Sequence, residues 1–368
     1  MTAVLDDTLL ADPESLAARD TTGVLRAAAT AGAQVRSATH ACREAGLERL
    51  RGHRPRALVL LRRPGVSGAV ADLVTALLGD RCPVPVVQAE RVPGWIGPLD
   101  VVVAHTADPA DAELAESVAV AVRRGAEVVL SAPDAGPVAQ AGAGRARLVE
   151  PRIPLPEGLG FAQALAVVLT TVMELELISP VPGGGDLDAL ADALDAEAER
   201  SQPGHEPFVN PAKSLALRLA ERTPLLWGAD AAATAVAGHG ASALAAHAGV
   251  VAHAADLGQA GTLPGLRLAV DLSERESDIF RDPFDDPEPG AAAPPVRLVL
   301  LGAGEEDPQQ VSRLLLGREW PNADLAHPVE EVPRGTRDAV LLRAGVLALR
   351  TDIAAVYLGL ATRAPLST

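Results

Sequence analysis

The chain has 368 residues, of which 48 % are hydrophobic and 2 % aromatic, and a formal charge of −16. That length implies two domains at about 100–200 residues each, with cores built from Ala, Val and Leu, since only three Trp, four Phe and one Tyr are present. So few aromatics leave no base-stacking surface, and so negative a charge repels nucleic acid and anionic membranes alike.

Basic residues are nearly all Arg, and Lys213 is the sole candidate for any lysine-dependent chemistry. Cys42 and Cys82 form neither a disulfide framework nor a metal cluster and read as two reduced thiols. The opening MTAVLDDTLLADPES is acidic and lacks the basic n-region of a signal peptide. The longest nearly apolar stretch, Leu159 to Met173, falls short of the roughly 18 residues that span a bilayer. The expectation is a soluble cytoplasmic protein without a cofactor.

In chain order, residues 1–52 read as a leader followed by helix. ALVLL (57–61), the turn RRPGVSG (62–68) and a helical face of Val70, Leu73, Val74, Leu77 and Leu78 form a strand–turn–helix unit. PVPVVQ (83–88), LDVVVAH (99–105), AEVVLSA (126–132) and ARLVE (146–150) are further strands. Asp108-Pro109 predicts a capped helix start before Leu114, Val118, Ala121 and Val122, and a long helix runs from Phe161 to Leu177. Strands alternating with helices predict a doubly wound parallel sheet.

SPVPGGGD (179–186) ends that domain, and a polar helix over 187–200 leads to a second pattern. The expected division is a first domain over 1–178, a linker over 179–205 and a second domain over 206–368. Asn210 caps a helix with Pro211 at its first position. PLLWG (224–228), LRLAVDL (266–272) and VRLVLLG (296–302) read as strands, and an Ala-rich helix spans 231 to about 255. RDPFDDPEPGAAAPP (281–295) reads as a polar loop, and Arg337 to Thr362 as a very apolar final helix for the core or a subunit interface.

With these elements in order, the chain resembles the archaeal-type bifunctional phosphoglucose/phosphomannose isomerases, proteins of two sugar-isomerase (SIS) domains, as a divergent member. The resemblance rests on LDD (5–7), PGVSGAVAD (64–72), RRGAEVVL (123–130), NPAK (210–213) before PLLWG, and DIAAVYLGLA (352–361). It implies an α/β fold of two SIS domains, each a doubly wound, flavodoxin-like parallel sheet flanked by helices. It also implies a homodimer that binds a sugar phosphate or another carbohydrate derivative and isomerises aldose to ketose through an enediol. That chemistry needs a phosphate cradle, a carboxylate base, a ring-opening group and a cation for the enediolate.

The matching positions are altered. In the first cradle turn Ser67 and Asp72 remain, with Arg62 and Arg63 beside them. Ser67 reads either as a phosphate ligand or as an ordinary helix cap. In place of the family's SxSGNTEE loop stands His105-Thr106-Ala107-Asp108-Pro109-Ala110-Asp111-Ala112, with Thr106 its only hydroxyl. A carboxylate at Asp108 takes amide hydrogens that a phosphate needs and repels the dianion. Like charges about 4 Å apart cost about 4 kcal/mol even at an effective dielectric of about 20.

The family's base glutamate falls on Ala246, with His247 next to it as either a substitute base or a plain polar residue. Glu276-Ser277-Asp278 takes the place of the ring-opening histidine segment, and Arg152 stands near the lost enediolate arginine. His239, His247 and His253 lack the spacing of a helical metal pair, so no metal is expected. LVLLGAGEED (298–307) lacks the third glycine of a dinucleotide fingerprint and reads as a plain turn. The acidic runs at 282–288 and 330–331 read as solvated loops, and the glycines at 183–185 as a hinge.

Three functions remain open: a carbohydrate-binding SIS protein with isomerase chemistry lost or altered, a working isomerase with relocated groups, or a regulatory or assembly subunit. The candidate site residues are Arg62, Ser67, His105, Thr106 and Asp108 for ligand binding, and His247, Glu276 and Arg152 for catalysis.

Overall fold

The structure, a computed structural model, describes residues 5–178, 186–276, 295–305, 320 and 323–362, with side chains at 274–276 outside that description. The polar loop, the glycine hinge and the run at 282–288 fall outside the described residues. The chain forms two compact units: residues 29–195, and residues up to 28 together with those from 196 onward.

Three short helices come first: α1 (Asp7–Leu10), α2 (Pro13–Arg19) and α3 (Val24–Ala28). The unit over 29–195 then runs α4 (Ala31–Glu44), β1 (Ala57–Leu61), α5 (Ser67–Leu78), β2 (Val86–Ala89), β3 (Asp100–His105), α6 (Ala112–Arg123), β4 (Glu127–Ser131), α7 (Gly136–Gly142), β5 (Arg147–Val149) and α8 (Phe161–Glu174). Its five strands are all parallel in the order β2-β1-β3-β4-β5. That is a doubly wound parallel sheet, as the alternation predicts, with the flavodoxin-like order that the resemblance implies.

Every residue of β1 and β3 is buried, as a parallel sheet covered on both faces requires. Val59, Leu61, Val102, Ala104, Val128 and Leu130 pack on α6 through Leu114, Val118 and Ala121. Helices α4, α5 and α8 pack together on the other strand-facing side.

Helix α9 (Leu187–Arg200) contains the division between units. The second unit continues with α10 (Pro211–Leu219), β6 (Thr223–Gly228), α11 (Ala231–Ala248), β7 (His253–Asp256), α12 (Leu257–Gly261), α13 (Pro264–Glu276), β8 (Val296–Leu301), β9 (Asp324–Ala326) and α14 (Ala339–Ala361). Its strands are parallel in the order β7-β6-β8-β9. Asn210 caps α10 as expected, accepting the Lys213 amide at 2.9 Å. Trp227 and Trp320 meet edge to face at 5.5 Å over Leu225, Leu298 and Leu300.

Some local expectations change. LRLAVDL lies in α13 rather than a strand. Its alternating apolar residues divide by helical geometry: Leu266 and Val270, four apart, face the core, while Leu268 and Leu272 are exposed. Helix α11 stops at Gly249, which takes the left-handed conformation (φ 64°), and the chain turns into β7. Strands β7 and β9 carry too little apolar sequence to stand out.

Helix α14 is the core of the second unit, packed on α10 and α11. Its buried charges are paired: Arg350 makes a two-pronged bond to Glu197 (2.7 and 3.0 Å), and His239 Nε2 bonds Asp352 at 2.8 Å. Glu331, expected on a solvated loop, also pairs with Arg350. The leader belongs here too, since the Asp6 amide bonds the Ala361 carbonyl at 2.8 Å and Arg19 the Leu360 carbonyl at 3.0 Å. Among the described residues no helix is long and apolar enough to cross a membrane.

Small residues let α11 and α14 approach closely; a Cβ at Gly359 would overlap the His247 carbonyl oxygen. Gly359→Ala is therefore expected to cost about 1–3 kcal/mol through overpacking. Gly238→Ala, on the exposed face of α11 with nothing within 4 Å of its Cβ, is expected to gain up to about 1 kcal/mol from helix propensity. Thermal melting of the two variants beside the parent checks both signs.

Candidate functional site

Doubly wound sheets bind ligands outside the carboxyl ends of their strands, where the strand order reverses. In the unit over 29–195 that point lies between β1 and β3. The turn after β1 presents Arg62, Arg63 and Ser67, and the turn after β3 presents Thr106, Asp108 and Asp111.

The two turns are bolted together. Arg63 Nε and Nη2 donate to the two carboxylate oxygens of Asp111, each at 2.8 Å, with side chains 8 % and 9 % exposed. Arg63 also reaches Glu113 at 3.2 Å and the Glu90 carbonyl at 3.2 Å, and Arg91 holds Glu113 from the other side at 2.5 Å. Burial pushes the Asp111 carboxyl up, but Arg63 and the Leu114 amide outweigh it and hold the group below the usual carboxylate range. The Arg63 guanidinium is raised, chiefly by its hydrogen bonds to Asp111.

Helix α6 begins at Ala112, and its cap is Asp111, which accepts the Leu114 amide at 3.0 Å. The expected cap, Asp108, instead closes a tight turn by accepting the Ala110 amide at 2.8 Å. Pro109 therefore lies before the helix rather than at its first position. The Asp108 amide is itself taken by the Thr106 hydroxyl at 3.1 Å. These amides after β3 are thus bonded to the chain's own oxygens.

Ser67 is the first residue of α5, not its cap; Val66 holds the cap position and makes no side-chain bond there. The buried Ser67 hydroxyl donates to the Leu61 carbonyl at 2.8 Å and accepts the Arg63 amide at 3.0 Å, fixing the turn that aims Arg63. Arg62 bonds Asp72 at 2.5 Å and also Gln88. His105 is buried with Nδ1 3.0 Å from the Ser131 hydroxyl, and burial pushes its pKa down to about 4, so its ring is neutral at pH 7.

The second unit repeats the device. At its reversal point, between β6 and β8, Asp230 caps α11 by accepting the Ala233 amide at 2.9 Å. Its other oxygen accepts the Ala303 and Gly304 amides at 2.8 and 3.0 Å. The fully buried Arg343 then holds the Gly304 carbonyl at 2.5 Å. The Gly302–Gly304 segment is a turn satisfied by an aspartate.

Of the remaining candidates, Arg152 pairs with Glu44 and lies 3.2 Å from His40, both on α4. His247 belongs to the second unit, where burial lowers its pKa and its buried Nε2 has no hydrogen-bond partner among the described residues. Glu276 ends α13, and its side chain lies outside the described residues. Sequence reading passed over Arg63–Asp111 and Asp230. The available signal was an aspartate just before the helix that follows β3 and before the helix that follows β6.

No family model matches the chain, and no curated relative matches it. Solved structures do. Tagatose-6-phosphate ketose/aldose isomerase from Escherichia coli superposes with a TM-score of 0.56 at 12 % identity, over 92 % of this chain and 91 % of that one. The C-terminal domain of glucosamine-fructose-6-phosphate aminotransferase from Francisella tularensis gives 0.57 at 11 %, over 91 % and 96 %. A candidate phosphosugar isomerase from Bacillus subtilis gives 0.59 at 13 %, over 92 % and 97 %. At these identities the likeness is one of fold: two parallel α/β sheets of the SIS type.

Removing one partner of a buried pair strands the other charge, which typically costs about 3–5 kcal/mol. Asp111→Ala and Arg63→Met are each expected to lower stability by an amount of that order, and the double variant by clearly less than their sum. Because the folded carboxyl is depressed, the pair's contribution is complete above about pH 4. It fades as the pH falls through the folded value. Denaturation of the four proteins between pH 3 and 8 measures the coupling and its acid loss.

Proposed function

We propose that this chain is a two-SIS-domain protein of the phosphosugar isomerase type, allied to the archaeal-type phosphoglucose/phosphomannose isomerases, that binds a carbohydrate derivative without the ancestral isomerisation. The observation that carries the reading is the Arg63–Asp111 pair across the first sheet's reversal point. A phosphate seated on α6 would have to displace Asp111 from both Arg63 and the helix amides. Parting such a pair costs about 3–5 kcal/mol, against the roughly 8 kcal/mol of a whole micromolar complex. The chain's own acid thus takes a large part of the affinity a phosphate would have there.

The start of α5 differs, since no side chain caps it. A ligand of this protein engages that end, beside Arg62, through hydroxyl or anionic groups. The resemblance supports a cytoplasmic homodimer. A second reading, an isomerase with relocated groups, draws on His247, whose buried Nε2 has no partner among the described residues and whose lowered pKa suits a base.

A coupled assay on glucose-, fructose- and mannose-6-phosphate separates the two readings. No turnover above buffer is expected; rates near about 10 s⁻¹, the enzyme median, overturn the proposal. Asp111→Gly, which releases both Arg63 and the α6 amides, is expected to bind inorganic phosphate at least about tenfold more tightly than the parent, a change of about 1.4 kcal/mol. Calorimetry reads it.

A further inference from the structure

The carboxyl ends of the second sheet are occupied by Asp230, but its amino ends open on a cavity of 470 Å³ lined by Pro207, Phe208, Leu217, Arg218, Arg222 and Arg297. The chain order brings these residues to one edge. Arg218 is in the last turn of α10, Arg222 immediately precedes β6, and Arg297 is the second residue of β8.

Asp324, the first residue of β9, accepts Arg218 Nη1 at 2.7 Å and Arg297 Nε at 2.6 Å, so one carboxylate holds two guanidinium groups. Arg222 is exposed and has no ion pair among the described residues. The neighbouring Glu221 accepts the Leu5 amide at 3.2 Å. Three cations against Asp324 and the neighbouring Glu221 leave one positive charge in surplus at this edge, in a chain of formal charge −16. Beside them Phe208 is 84 % exposed, an apolar ring left in water at the rim of a cationic cavity.

We propose that this cavity is a binding site for a small organic anion. Arg222 takes its carboxylate or phosphate-ester group with help from Arg218 and Arg297, and a ring-sized apolar body lies against Phe208, Leu217 and Pro207. A planar guanidinium fork suits both oxyanions. The volume falls within the roughly 300–1,000 Å³ of small-molecule sites. An acidic peptide or protein is the poorer occupant, because the strongly negative chain repels a large polyanion while a small one feels chiefly the local surplus. The site is in the second unit, and the proposed carbohydrate site at α5 is in the unit over 29–195.

Calorimetry with phenyl phosphate, inorganic phosphate and phenol as separate probes tests this. Phenyl phosphate is expected to bind at least about tenfold more tightly than either fragment. Arg222→Glu is expected to weaken it at least about tenfold with an unchanged melting temperature. Phe208→Ala is expected to erase the advantage over inorganic phosphate, and Arg145→Ala, at an exposed arginine of the other unit, to change nothing. Absence of phenyl phosphate binding at millimolar concentration, or equal binding by Arg222→Glu, overturns the proposal. So does binding of a poly-glutamate peptide in its place.

Discussion

A salt bridge between two loops governs the first unit. Arg63 leaves the turn after β1 and Asp111 leaves the turn after β3, and their two-pronged contact joins the strands on either side of the reversal point. Helix termini and strand-end turns leave amides that need acceptors, and the fold concentrates those amides where the strand order reverses. Either a ligand or the protein must supply the oxygens. Here the protein does, with Asp111, Asp108 and Thr106 at one sheet and Asp230 at the other. An aspartate at each reversal point gives the turns a fixed geometry and satisfies amides there with the chain's own oxygens.

Small residues shape the helix packing of the second unit. Its helices pack through Ala and Gly, so backbones approach closely and there is little room to solvate the charges that α14 carries inward. Arg343, Arg350 and Asp352 are consequently matched by carbonyls, by Glu197 and Glu331, and by His239. The buried polar groups are largely paired because an isolated charge there would cost several kcal/mol. At the amino edge of the sheet Arg218 and Arg297 share Asp324, and Arg222 has no ion pair among the described residues.

Much of this was legible in the sequence. The runs ALVLL, LDVVVAH, AEVVLSA and VRLVLL are continuous apolar stretches that only a sheet covered on both faces accommodates, and each lies in a strand. Asn210-Pro211 announced a helix start through local chemistry alone. Harder to see were β7 and β9, whose residues pair because a neighbouring strand reaches them, and α13, whose alternating leucines imitate a strand. At the candidate site the sequence showed a segment after β3 with two aspartates, Asp108 and Asp111, and a single hydroxyl, Thr106. It did not show which aspartate does the capping, because Asp108 and Asp111 both stand where a helix could begin.

Local chemistry by itself determined the α/β alternation, the strand cores and the acidic, hydroxyl-poor character of the turn after β3, since these depend on periodicity and on side-chain type. Only the tertiary structure decided that Asp111 faces Arg63, that Asp230 reaches the Ala303 and Gly304 amides, and that the leader joins the last helix. Those contacts span 48, 73 and several hundred positions. Sheet order brings such distant partners together, and no sequence period encodes it.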